Sequence, residues 1–493
     1  MTIKLILLIL LFSTVFSEPD SETTSMTGGL GSITRNGELY NQIALRPNIP
    51  IGKFFIGLDI YFNFNSNGEI FTSDYDFSSF KSGSRSILDK VRLIKYGNIE
   101  DDFHITLGNL NNITVGNGIL VNNYSNSLEY PSKRKLGINV KFQLEKLGFQ
   151  FICSDFKYDP GLVSLRSSYK IKSNFDIGIS VAADMDQYAG LTNSDQDSYP
   201  DIYDHYPYDS HKWSEAEESR YSWRAIYDQY INSDIDFEDW FQNLPINHND
   251  YDPDNTNKNS ILGTSIDLNF RINKNLKLFS QVASLLPSRN SINFNGQKSE
   301  YGYGFVPLGV KYDFGNFRFL TEYRYNSNNF IFNYWDRSYE VNRVIVVSEG
   351  DSLKTRTKES SLIDYGKMSG FYAELNGSIA NILFIKTSYT SMKGKRLINF
   401  ENQKYNKSFS SVLSFNTQII PKLTEANAFY QQNNVPNPLN FEFTESTIYG
   451  YNLGFQISND LILFYKSSTN FIFNQEGEIE PINTILIETQ FIF

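Results

Sequence analysis

The chain has 493 residues, 40% hydrophobic and 15% aromatic, with 40 Phe and 32 Tyr and a formal net charge of −11. A mean hydropathy of −0.36 argues against a bundle of membrane helices, and no basic patch interleaved with aromatics points to nucleic acid. Cys153 is the one cysteine, so no intrachain disulfide can form; in a predicted strand it reads as a small packed side chain.

Residues 1–17 read as a secretory signal peptide. Lys4 supplies the basic start, Leu5 to Phe16 the apolar run, and Val15 and Ser17 the −3 and −1 positions of a cleavage after Ser17. The run is shorter than the roughly 20 apolar residues of a spanning helix. No cysteine follows it, so it does not read as a lipoprotein signal. Strand pattern begins by about Glu38, which leaves no room for the N-terminal plug of an energy-coupled receptor. Residues 65–90 break the pattern and are expected to hold a helix or a periplasmic loop.

From there alternation recurs. Ile138, Val140, Phe142 and Leu144 alternate with Asn139, Lys141, Gln143 and Glu145. Phe175, Ile177, Ile179 and Val181 alternate with Asp176, Gly178, Ser180 and Ala182. Ile266, Leu268 and Phe270 alternate with Asp267, Asn269 and Arg271; Leu453, Phe455 and Ile457 alternate with Asn452, Gly454 and Gln456. Period two means strands with one apolar face. Many run about 10–13 residues, enough to cross a bilayer when tilted. Between them, Gly116-Asn117-Gly118 has no following helix to make a dinucleotide site, so it predicts a strand bend or close packing. Lys133, Arg134 and Lys135 read as a charged rim, or as an attraction for anionic lipopolysaccharide. His104 is the one histidine in the strand-patterned regions, and no GxSxG nucleophile motif accompanies it, so no enzyme is expected.

Residues 187–260 interrupt the strands. Positions 191–260 carry 16 Asp or Glu against 4 Lys or Arg, together with Trp213, Trp223 and Trp240. Ser214 and Glu217 mark a capping box for a helix to about Ile231, and a second short helix is predicted over 234–243. This is the composition of a small folded acidic cap. At its entrance Asn193, Asp195, Asp197, Asp201 and Asp204 place oxygen ligands at positions 1, 3, 5, 9 and 12, with Pro207 three beyond. Ca²⁺ takes 6–8 hard oxygens. The spacing resembles a thrombospondin type 3-like calcium repeat, with Asn193 in place of the usual Asp and Ser198 in place of the usual Gly. The other reading is a solvated acidic turn. Asp250, Asp252 and Asp254 share the alternate spacing without the later acids.

Towards the C-terminus the connections alternate. Turns at 271–275, 313–316, 380–381, 421 and 459–460 are tight; 286–301, 326–366, 393–406, 432–445 and 474–480 are longer. The last twelve residues, Ile482 to Phe493, put Ile485, Ile487, Thr489, Phe491 and Phe493 on one face and Thr484, Glu488 and Gln490 on the other, with Ile482, Leu486 and Ile492. An alternating strand ending on Phe resembles the closing strand of Gram-negative outer-membrane β-barrels.

The resemblance implies an all-β, transmembrane, antiparallel up-and-down barrel of about 18 strands (16–20), in segments 18–186 and 261–493 around the insert. It implies a bacterial outer-membrane location, contact with outer-membrane lipid and lipopolysaccharide, and recognition of Phe493 by the barrel assembly machinery. The function expected is a porin-like channel for small solutes with a calcium-stiffened acidic cap on the extracellular side. The alternative is a barrel-anchored surface receptor or adhesin-like binding protein.

Overall fold

The computed structural model describes residues 24–492 apart from 36–37, 72–74, 99–100, 131–132, 194–196, 205, 207–208, 210, 213–257, 289–299, 350–351, 399–400, 445 and 474–478. The signal peptide, Phe493, Asp195 and the predicted cap helices therefore lie outside the described residues.

The main sheet has 21 segments, and two of them, Phe54–Leu58 and Ile60–Phe64, are one strand interrupted at Asp59. The result is an antiparallel barrel of 20 strands, closed where Ser25–Arg35 pairs with Ile479–Ile492 and Ser25 faces Ile492. An even number and a sheet without edges are what a membrane demands, since hydrocarbon satisfies no free N–H or C=O. The strand count sits at the top of the expected range. Ser25–Arg35 escapes the periodicity because Gly28 on one face and Gly29 and Gly31 on the other leave gaps in the alternation.

Alternation becomes geometry in the wall. Along Ile261–Arg271, Leu262, Ile266, Leu268 and Phe270 face outward while Ile261, Ser265, Asp267 and Asn269 are buried inside. Ile179 and Val181 are exposed on their strand, and Ser180, Ala182 and Asp184 are buried. Ile485 and Ile487 point out of the last strand and Glu488 points in. Tyr303, Phe305, Tyr312 and Phe314 add exposed aromatics to the same outer surface. An apolar exterior around a polar interior makes this an outer-membrane-type, multi-pass barrel.

Both ends of the barrel chain and the short turns lie at one rim; Ala380 and Asn381, with φ of 51° and 56°, make a primed hairpin turn there. The long connections, 65–90, 109–136, 154–162, 185–260, 288–301, 327–364 and 436–446, all lie at the other. Two expectations are corrected. The connection at 393–406 is not a long loop, because Leu383–Ile398 and Glu401–Phe415 run on as a tall hairpin with Ile398 opposite Glu401. Here Lys393, Lys395 and Lys404 are exposed while Met392 and Asn406 are buried, so the exposed side of the hairpin carries lysines and the apolar rhythm of the wall is lost. Residues 65–90 do hold a helix, Phe80–Leu88, opened by a Ser79–Ser82 capping box, but at the long-loop rim rather than the periplasmic one.

Four successive wall strands are short: Val91–Tyr96, Phe103–Gly108, Gly137–Gln143 and Leu147–Cys153. From this low stretch residues 109–136 turn into the lumen, where they meet residues 327–343. Among the described residues the hydrophobic core cluster therefore lies inside the barrel.

Candidate functional site

The inward chain at 109–136 folds back on itself. Ile113 and Tyr124 exchange backbone hydrogen bonds of 3.0 and 2.8 Å, and Gly116-Asn117-Gly118 forms the tip. Gly116 has a φ of +64°, and a Cβ there would lie 2.7 Å from Arg166 Nη1, so the glycine serves both the left-handed turn and the close approach. Close packing is what the sequence predicted, at a loop tip rather than in the wall. Asn117 donates to Asn269 Oδ1 (2.9 Å) and accepts from Lys277 Nζ (3.0 Å). Asn269 lies roughly 25 Å along its strand from the long-loop rim, so the hairpin crosses most of the lumen.

The second inward segment pairs with the first. Trp335 N donates to Leu120 O (3.0 Å), Asn122 N to Trp335 O (3.0 Å), and Asn333 N to Ile119 O (2.9 Å). Backbone buried in a lumen finds its partners this way. Around this ladder Phe330, Tyr334, Trp335 and Tyr339 have no exposed surface. Trp335 Nε1 donates to Gly161 O (3.1 Å), and its ring lies against Gly263, where a Cβ would fall 2.8 Å from Cζ3. Burying an indole of this size stabilises the docked segment by about 4–6 kcal/mol on area alone.

Charged groups bind the two segments to each other and to the wall. Glu340 accepts from Lys135 Nζ (2.6 Å) and from the Tyr124 hydroxyl. Arg343 Nη1 lies 3.3 Å from Asp184 Oδ2, which also accepts from the Tyr339 hydroxyl at 2.9 Å. Burial pushes the Glu340 carboxyl up, but Lys135 and Arg343 beside it outweigh that and hold it at about 2. Burial raises the Tyr124, Tyr334 and Tyr339 hydroxyls well above their ordinary range, so they act as neutral donors. Breaking one member of such a set leaves a buried charge uncompensated.

Two further networks line the wall. Asp59 accepts from Arg46 Nε (2.9 Å), Arg134 Nε (3.0 Å) and Tyr130 (2.8 Å), and Arg46 also pairs with Glu488 of the closing strand. Arg134, read as an exposed rim cation, is instead buried with its guanidinium 3.6 Å from the Tyr61 ring centroid. Arg166 clamps Asp267 through both Nη atoms, and Asn269 Nδ2 donates to Asp267 and Asp176 at 2.7 Å each.

Between the inward segments and the wall strands from Tyr365 to Val435 lies a cavity of about 90 Å³. Its lining is polar and mixed in sign: Arg324, Arg337 and Lys386 against Asp336 and Glu374, with many asparagines and the rings of Phe330, Phe332, Phe409 and Tyr372. The inward residues predicted from alternation, such as Asn139, Asp267 and Asn269, do face the interior. The loop residues at 327–343 that fill it carried no periodic signal; their density of aromatics between two strands was the available clue.

Of the proposed calcium ligands, Asn193, Asp197, Asp201 and Asp204 are described. Asn193 Nδ2 donates to Asp197 O (3.0 Å), Asp201 opens a 3₁₀ turn, and Asp204 is buried. Among the described residues no three acidic or histidine side chains converge on one point. Asp250, Asp252 and Asp254 lie outside the described residues. The insert's ends are tied into the plug: Gln187 donates to Tyr334 OH (2.7 Å) and Asn259 to Thr357 Oγ1 (2.8 Å). His104 is buried, with Nδ1 3.1 Å from Gly97 O and Nε2 2.8 Å from Thr106 Oγ1.

No family model matches the chain, and no curated protein sequence matches it. Solved structures similar to it include the ferric-catecholate import receptor Fiu from E. coli K12 (10% identity, TM-score 0.35, 97% of this chain and 82% of that one). They also include OccK11 of Pseudomonas aeruginosa (9%, 0.33, 97% and 100%) and the outer membrane channel DcaP of Acinetobacter baumannii (8%, 0.28, 96% and 95%). The fold assignment rests on the strand pairing described above.

Proposed function

We propose that this barrel is a porin-like channel for passive passage of small solutes, narrowed by its own inward segments. The observation that carries the reading is the cavity between those segments and the wall, about 90 Å³ in volume, with a lining that is polar and mixed in sign. A barrel whose only task was anchorage has no use for such a space. The ends of the acidic insert lie at the long-loop rim, and with that rim extracellular the negative charge of the insert would concentrate cations at the mouth. Calcium at Asn193, Asp195, Asp197, Asp201 and Asp204 would stiffen this cap. Tyr203, inside that stretch, bonds Thr355 of the hairpin Val344–Glu349/Ser352–Thr357, so stiffening there reaches the plug directly.

The test is single-channel recording of the refolded mature protein in a planar bilayer, with and without millimolar calcium. Stable open steps are expected, with calcium changing their size or lifetime. A folded barrel that carries no current overturns the channel.

The apolar packing of the lumen around Trp335 favours a second reading, a surface receptor whose barrel is an anchor. Removing residues 192–257, which spares the buried Gln187 and Asn259, separates the two. Loss of surface binding with unchanged conductance supports the receptor.

A further inference from the structure

We infer that the lumen cavity binds a small polyhydroxylated organic acid, with Arg337 receiving its anionic group; the inference rests on the channel reading for the route by which the solute arrives.

The argument begins with charge. Arg324 lies 2.7 Å from Glu322, and Asp336 lies 3.7 Å from Lys358. Lys386 donates to Asn123 Oδ1 at 2.6 Å and shares the cavity with Glu374. Arg337 differs. Among the described residues its contact is the Phe429 ring, 5.0 Å from the guanidinium carbon, and it has neither a carboxylate nor a hydrogen-bond acceptor. Burial alone, with no carboxylate to offset it, lowers its pKa from the ordinary arginine value. A planar fork of donors facing an open polar space matches the two oxygens of a carboxylate.

The rest of the lining describes the body of the solute. Side-chain amides both donate and accept, as hydroxyl groups do, and Asn122, Asn433 and Gln431 present them to the cavity. Phe332 and Phe409 offer apolar ring faces to the C–H side of a sugar-like chain. A neutral sugar leaves the guanidinium unpaired. A cation placed at Arg337 meets its positive charge with that of Lys386 across the cavity.

The experiment uses the refolded mature protein in a planar bilayer, with gluconate, glucose or glucosamine added to one side. Gluconate is expected to interrupt the open current at concentrations about tenfold below those at which glucose does. Arg337→Gln is expected to weaken the gluconate effect by about tenfold, and Arg337→Lys, which keeps the charge but loses the fork, by less. Folding of each variant is checked by its heat-dependent gel mobility. Equal effects of gluconate and glucose, or gluconate acting on Arg337→Gln as on the wild type, overturn the inference while leaving the channel standing. If the folded barrel carries no current, calorimetric titration of gluconate decides: binding that Arg337→Gln removes supports the site, and no binding to the wild type overturns it.

Discussion

The wall and its contents obey different rules. In the wall each strand finds its partner next door in sequence, and one face is apolar because lipid requires it. In the lumen the partners are distant: Tyr124 reaches Glu340 across 216 positions, and Trp335 seals against Gly161 and Gly263. The wall is held by a continuous hydrogen-bond ladder that no single side chain controls. The plug is held by a few buried side chains, so single substitutions should separate the two.

The largest separation is expected from Trp335→Ala. Removing a fully buried indole should cost about 3–5 kcal/mol, comparable with what docks the segment. Conductance should rise and residues 327–343 should become open to protease, while the barrel keeps its folded gel mobility. Unchanged current and protection would mean that the wall, not Trp335, fixes the plug.

Acid should act next. Glu340 is held at about 2 when docked, against 4.5 for an ordinary glutamate. A depressed carboxyl contributes stability that is full above about pH 4.5 and is lost as pH falls through 2. The contribution is on the order of 3 kcal/mol. Conductance recorded from neutral pH downward should therefore rise below about pH 4, and Glu340→Gln should give the raised level already at neutral pH. A flat profile in both proteins sinks this assignment.

Gly263→Ala should have the smallest effect, about 1–3 kcal/mol against docking, because the new methyl meets the edge of the Trp335 ring. Combined with Trp335→Ala the effect should shrink to what Leu120 Cδ1, 3.0 Å from the new methyl, contributes. Additive losses would place the strain elsewhere.

This division also sets what could be read in advance. Asp267, Asn269 and Glu488 were legible as interior residues because a strand has only two faces, and the parity of the connections gave the rims. Ser25–Arg35 was lost to its glycines. The hairpin at 393–406 was lost because its exposed side carries Lys393, Lys395 and Lys404 in place of apolar residues. Arg134, Glu340 and Trp335 were illegible as plug residues for another reason: an irregular segment has no period, and its burial depends on a partner 75 to 216 residues away.

The break at Asp59 is held by three side chains from other parts of the chain. Asp59 ties Arg46, Arg134 and Tyr130 together just where the strand Phe54–Phe64 is interrupted, and Arg46 carries the link to Glu488 in the closing strand. Folding order follows from that arrangement. Neighbouring hairpins form from local contacts, whereas this knot waits for both ends of the chain and for residues 130–134. The seam of the barrel and the first anchor of its contents are thus completed in one event, late in assembly.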